Sequence, residues 1–194
     1  MSKLDYFLAI RPLLDHDSCG DIGIIKEFDN KVFIGLIDVL GHGKEAYKIA
    51  VISKGFLQKN YRKDLTEIIK GLHERIRGTR GEVVGLCILD LSTGVLKCAG
   101  IGNISVRRFR STSERVIFRS GIVGYMMPNP KEERIVLSDG DVLVLYSDGV
   151  RDHFELKDYP GILRDNARTI AKNIIRNFGK KGDDASCIAL RYRK

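Results

Sequence analysis

The sequence predicts an α+β fold of two mainly antiparallel sheets packed face to face, with helices covering the outer faces. Two observations carry this. Short apolar, β-like runs separated by turn residues recur along most of the chain. Amphipathic helical patterns occur in only two places, as a pair after the third strand and singly before the last. The 194 residues suffice for one domain with a substantial core, so residues 1–194 are read as a single domain.

Taken in order, Leu4 to Arg11 reads as an opening strand. Ile22 to Phe28 and Val32 to Ile37 read as a hairpin turned by Asp29-Asn30. In an antiparallel pair the residue entering the first strand lies beside the residue leaving the second, so this hairpin brings Asp21 and Asp38 to one end. From Lys44 to Tyr61 the apolar positions Ala46, Ile49, Ala50, Ile52 or Ser53, and Phe56-Leu57 recur at three- and four-residue steps, the pattern of an amphipathic helix. A second helix starts from Asp64 as N-cap, with Glu67 three residues on, and stops at Gly78. Val83 to Leu91, Val95 to Ala99, Ile104 to Arg110, Arg115 to Phe118, Arg134 to Leu137 and Val142 to Tyr146 follow as strands. Ser92-Thr93-Gly94 and Ser138-Asp139-Gly140 are turns between neighbours. A last helix from about Asp165 to Phe178 ends at Gly179, and a strand from Ala185 to Tyr192 closes the chain.

The net charge of +8 points toward an acidic partner. The basic residues are scattered rather than gathered in one tract, so nucleic acid is not favoured, and an acidic protein or a phosphorylated substrate fits equally well. Cys19, Cys87, Cys98 and Cys187 lie far apart without metal-ligand spacing, three of them in strand-like runs where a thiol behaves as a small hydrophobe. There is no basic-then-apolar leader and no apolar window of membrane-spanning length, so a cytoplasmic, monomeric protein with reduced thiols is expected. His16 and His73 have no partner at ligand spacing and read as ordinary surface positions.

The chemistry centres on Ile34 to Gly43, an apolar run that ends in Asp38 and then breaks into glycine-punctuated backbone at Gly41 and Gly43. Asp21, Asp148 and the pair Asp183-Asp184 lie at the start or end of other hydrophobic runs. Carboxylates gathered in this way repel unless a cation lies between them. Hard oxygen ligands without Cys or His neighbours suit magnesium or manganese rather than zinc. Singly, each is as well read as a turn or cap residue, since Asp-Gly is a common turn signal. Four in one context favour a site.

Asp38-Val39-Leu40-Gly41-His42-Gly43 before a helix, Ser147-Asp148-Gly149-Val150, and Asp183-Asp184-Ala185-Ser186, in this order, resemble the PPM-type metal-dependent serine/threonine phosphatases, bacterial SpoIIE and RsbU branch. Gly100-Ile101-Gly102-Asn103 and the Gly121 to Gly124 loop are similar to the short stand-alone RsbX type. The resemblance implies a four-layer α-β-β-α sandwich holding two manganese or magnesium ions. By motif position Asp38 would bridge both ions, the Val39 carbonyl would bind one, and Asp148 and Asp183 would complete the other's shell. Asp21, matching an early Gly-Asp, would act directly or through a water.

Several positions depart from the pattern. Val39 stands where many relatives carry glycine, so its backbone must avoid a positive φ. Asn103 falls where the eukaryotic branch has an aspartate implicated in a third metal. Leu40 takes the place of that branch's general-acid histidine; for the neighbouring His42, proton donation and a solvent-facing helix entry are the alternatives, and we weigh the second higher. The branch's phosphate-gripping arginine has no clear match in Arg11. His153 is placed at the cleft, and Asp152 is read as a cap of the following turn above a cleft acid. Gly41, Gly149 and Asp184 are expected around the ligands.

Two functions of different class follow. The first is a metal-dependent phosphatase acting on a phosphorylated stress-response or sigma-factor regulator, with a STAS-type scaffold or antagonist as substrate. The second is a catalytically weak docking protein of the same fold, disfavoured because clustered carboxylates are costly without cations. A histidine-kinase-type ATP site is weaker still, because the spacing here is Asp-x-x-Gly-x-Gly and no Asn-rich helix precedes it.

Overall fold

A computed structural model describes residues 4–14, 18–152 and 154–194. Among the described residues there are two five-stranded sheets, antiparallel throughout. The first has the spatial order β1 (Asp5–Arg11), β10 (Ala185–Arg191), β9 (Val142–Tyr146), β6 (Ser105–Phe109) and β7 (Ser113–Val116). The second runs β2 (Asp21–Phe28), β3 (Lys31–Val39), β4 (Glu82–Asp90), β5 (Val95–Ile101) and β8 (Glu132–Val136). Helices α1 (Lys44–Asn60) and α2 (Leu65–Arg75) cover the outer face of the second sheet, and α3 (Ala167–Phe178) covers that of the first. This is the expected α-β-β-α sandwich.

Three apolar layers hold it together. Ile37, Leu57, Ile69 and Leu86 pack beneath α1 and α2, whereas Leu36, Cys87, Leu145 and Ile188 fill the space between the sheets. Val144, Ile170, Ile174 and Ala189 pack beneath α3. Successive side chains of a strand point to opposite faces, so Leu36 and Ile37 serve different layers and the central strands read as unbroken apolar runs.

The β2–β3 hairpin turns on Asp29 and Asn30 at φ 45° and 57°, the two-residue loop whose twist matches its strands. Its register sets Asp21 opposite Asp38. Asp64 caps α2 as expected, accepting from the N–H groups of Thr66 and Glu67. On α1, Ser53 rather than Ile52 faces inward: Ser53 is fully buried and donates to Glu82 at 2.6 Å, while Ile52 is 43% exposed.

Other boundaries shift for local reasons. Helix α3 begins at Ala167 because Asn166 caps it, accepting from Thr169 N–H at 2.8 Å, while Asp165 accepts from the Tyr159 hydroxyl at 2.7 Å. Strand β7 ends at Val116 because its register follows β6, and Phe118 packs instead over the paired Gly85 and Gly100. His73 is not an ordinary surface residue; it is half-buried and its Nδ1 accepts from Gly124 N–H at 3.0 Å. His16 and His153 lie outside the described residues. All four cysteines are buried and free. Among the described residues no helix is long and apolar enough to cross a membrane.

Candidate metal centre

Four segments bring carboxylates to one end of the sandwich. Asp21 opens β2, Asp38 stands one residue from the end of β3, Asp148 follows β9, and Asp183 and Asp184 precede β10. Because β9 and β10 are antiparallel neighbours, the exit of one meets the entry of the other. A cleft of about 310 Å³ opens there, lined by Asp38, Asn103, Asp148, Asp183 and Asp184, with Gly41 at its edge.

The supporting contacts sort these acids. Asp21 is 3% exposed, and its Oδ2 accepts from Ser147 Oγ at 2.6 Å. That hydroxyl also accepts from Ser186 N–H at 3.1 Å, so one serine ties β2 to the β9–β10 end across the two sheets. Asp184 is buried and committed to backbone, accepting from Leu13 N–H at 2.6 Å and Gly20 N–H at 2.8 Å. Asp148 Oδ2 accepts from Asn103 Nδ2 at 2.9 Å. A Cβ on Gly149 would lie 1.7 Å from the Asp184 carbonyl oxygen, so only glycine lets the two acid-bearing segments touch backbone to backbone.

The remaining predicted residues fall as follows. Val39 is outside the positive-φ region, and its N–H donates to Gly20 C=O at 3.2 Å. Gly41, at φ +80°, carries the guanidinium of Arg80 against the place where a side chain would start. His42 is exposed at the entry to α1 and does not line the cleft. Among the described residues Asp152 neither lines the cleft nor caps the following turn. It accepts from Tyr146 of β9 at 2.9 Å, from Ser105 of β6 at 3.0 Å and from Arg115 of β7. The following turn is held by Asp158, which accepts from Glu155 N–H at 2.8 Å. Arg11 reaches toward the site but grips backbone, donating to the carbonyls of Lys180 and Asp183.

The electrostatics follow from burial and like charge. Burial first, then the charges of Asp21, Asp148 and Asp183, push Asp38 up to about 9. Asp21 is pushed up to about 6 by burial, against the Ser147 hydrogen bond and with repulsion from Asp184 and Asp183. Asp183 is raised as well, by burial and then by Asp148. Among the described residues no three His, Cys, Asp or Glu side chains already stand together as a ligand set. The acids line one cleft without closing on a point. A divalent cation nevertheless fits, because an all-oxygen, mutually repelling set is what hard cations neutralise.

A family model for stage II sporulation protein E (SpoIIE) matches residues 29–193. The chain belongs to the SpoIIE family. It is a PPM-type phosphatase fold of the SpoIIE/RsbU branch, and this SpoIIE-family chain is similar to several solved structures. One, from work on the bacterial stressosome as a modular system adapted to control secondary messenger signaling, is 28% identical with a TM-score of 0.87 over 98% of this chain and 100% of that one. RsbX in complex with magnesium superposes at TM-score 0.85 with 15% identity, over 98% of this chain and 96% of that one. The SpoIIE phosphatase domain with a regulatory fragment, from Bacillus subtilis, gives 0.79 at 20% identity over 97% and 63%. No curated protein sequence matches it.

Sequence reasoning passed over Ser147 and Arg80 at this end, and weighed Arg11 only as a phosphate-gripping arginine without claiming it. Ser147 was legible only as a motif letter beside Asp148, and its bridging role needs both sheets. Arg11 and Arg80 are arginines among many, placed at the site by strand order alone.

Proposed function

We propose that this SpoIIE-family chain is a single-domain, divalent-metal-dependent phosphatase acting on phosphoserine or phosphothreonine of a bacterial regulatory protein. The convergence of Asp38, Asp148 and Asp183 on one cleft, with Asp38 pushed up to about 9 by burial and its acidic neighbours, is the observation that carries this reading. Asp38, Asp148, Asp183 and the Val39 carbonyl would hold two manganese or magnesium ions, with Asp38 as the ligand common to both. Asp21 would act directly or through a water. Such ions supply Lewis acidity, acidifying water for in-line attack on phosphorus and neutralising charge on the phosphoryl oxygens.

The chain's own residues hold this arrangement in place. Asn103 orients Asp148, Ser147 fixes Asp21, and Asp184 and Arg11 hold the backbone on either side. A covalent phosphoenzyme through cysteine has no support, since all four thiols are buried and burial above all pushes Cys19 up to about 12. The likeness to RsbX and to a stressosome structure supports a phosphorylated STAS-type scaffold or antagonist as substrate, in stress-response or sigma-factor control.

Hydrolysis of an aryl phosphate and of a phosphoserine protein should require manganese or magnesium, stop with chelator and fail in Asp38→Asn. Equal rates under all three conditions would refute the proposal. Tight binding of an unphosphorylated partner with no turnover would favour the docking reading instead.

A further inference from the structure

Among the described residues strand β1 is an edge strand, paired only with β10, and its outer side faces a groove of about 590 Å³ walled by α3. The floor is apolar, from Phe7, Ala9 and Ile175, with Arg11, Lys172 and Arg176 at its margin. Helix and strand run side by side in the same direction. At one end Ala167 N–H donates to Asp5 at 2.9 Å, and at the other the Arg11 guanidinium crowds Gly179.

Arg168, Lys172 and Arg176 recur every four residues and so form one stripe on α3. Among the described residues none of the three takes part in an ion pair, and all are exposed. Arg168 and Lys172 lean over the Phe7 ring, at 4.4 and 5.9 Å from its centroid. Four helical residues rise about 6 Å, and alternate residues of a strand about 6.7 Å. A strand laid beside β1 would therefore present every second side chain to successive cations of the stripe.

We propose that this groove docks an extended, acidic segment of a partner protein, which adds to the first sheet as a strand beyond β1 and sets alternate carboxylates against Arg168, Lys172 and Arg176. Backbone pairing would supply affinity and the cations would supply register, as in other additions of a peptide between an edge strand and a helix. Lone cations at an edge also discourage pairing with chains that lack the matching acids. The inference does not depend on catalysis at the other site.

The test is fluorescence anisotropy of a labelled peptide of about nine residues alternating glutamate and valine, titrated with the whole chain and with Lys172→Glu/Arg176→Glu. Binding should weaken by about tenfold or more in the double variant and with salt. It should weaken similarly for a peptide with a central proline, which removes a ladder hydrogen bond. Amide exchange in β1 should slow on binding. Both substitutions are on the exposed face, so an unchanged melting temperature separates lost binding from lost folding. The proposal is overturned by absence of binding, by equal affinity for the double variant, or by equal affinity for a lysine-for-glutamate peptide. It is equally overturned if sedimentation shows a dimer that the variant disperses, or if a single-stranded oligonucleotide binds the stripe where the peptide does not.

Discussion

Asp148 and Asp152 are four residues apart, yet their surroundings are opposite. Asp148 faces the cleft among Asp38 and Asp183, with a single neutral amide from Asn103 as donor among the described residues. Asp152 is wrapped by Ser105, Tyr146 and Arg115. Burial alone would raise Asp152, but those donors together hold it below the usual carboxylate range. One set of acids is balanced from within the chain. The other awaits positive charge from outside, and that difference separates a site from a brace.

The strongest way to break the contrast is Asp38→Asn, which removes the central acid. We expect phosphatase kcat to fall by about a thousandfold, measured with manganese at saturation. The far-UV spectrum should be unchanged. Next is Gly149→Ala, which drives a methyl into the Asp184 carbonyl and should cost about 3 kcal/mol in denaturant unfolding, with activity falling alongside. Asn103→Ala releases Asp148 without touching Asp152, and should weaken metal activation by about tenfold while leaving stability in chelator nearly unaltered. Smallest is Arg115→Ala, an exposed pairing worth about 1 kcal/mol or less, with catalysis retained.

Acidity sharpens the same comparison, because the two environments respond with opposite sign. Asp38 holds its proton more tightly folded than unfolded, so in chelator its contribution is present at low pH and is lost as pH rises toward about 9. Asp152 holds its proton less tightly folded, so its contribution is present above the ordinary aspartate range and is lost as pH falls through it. Urea midpoints in chelator should therefore decline between about pH 5 and pH 9, and manganese should flatten that decline. A flat profile in chelator would show that Asp38 is not in the acid-crowded environment described.

Much of this was readable from residues alone. The turn at Asp29-Asn30, the cap at Asp64 and the apolar period of α1 are local signals, and each produced its element. The pairing of Asp21 with Asp38 followed from the hairpin. What escaped depended on distant chain. Asp152 read locally as a turn cap, and only the placement of β6 beside β9, with β7 beyond it, brings Ser105 and Arg115 to it. Likewise the choice between Ile52 and Ser53 stayed open in the sequence, because the partner of the inward Ser53, Glu82, lies on a strand farther along the chain.

The two-residue turn has a remote effect. It sits about eight residues, or roughly 25 Å, from the acid pair at the far tip of its ribbon. Inserting or deleting one residue there would swap the inner and outer aspects of β2 along its whole length, carrying Asp21 away from Ser147. The geometry of the candidate metal site is therefore governed in part from the opposite end of the β2–β3 ribbon.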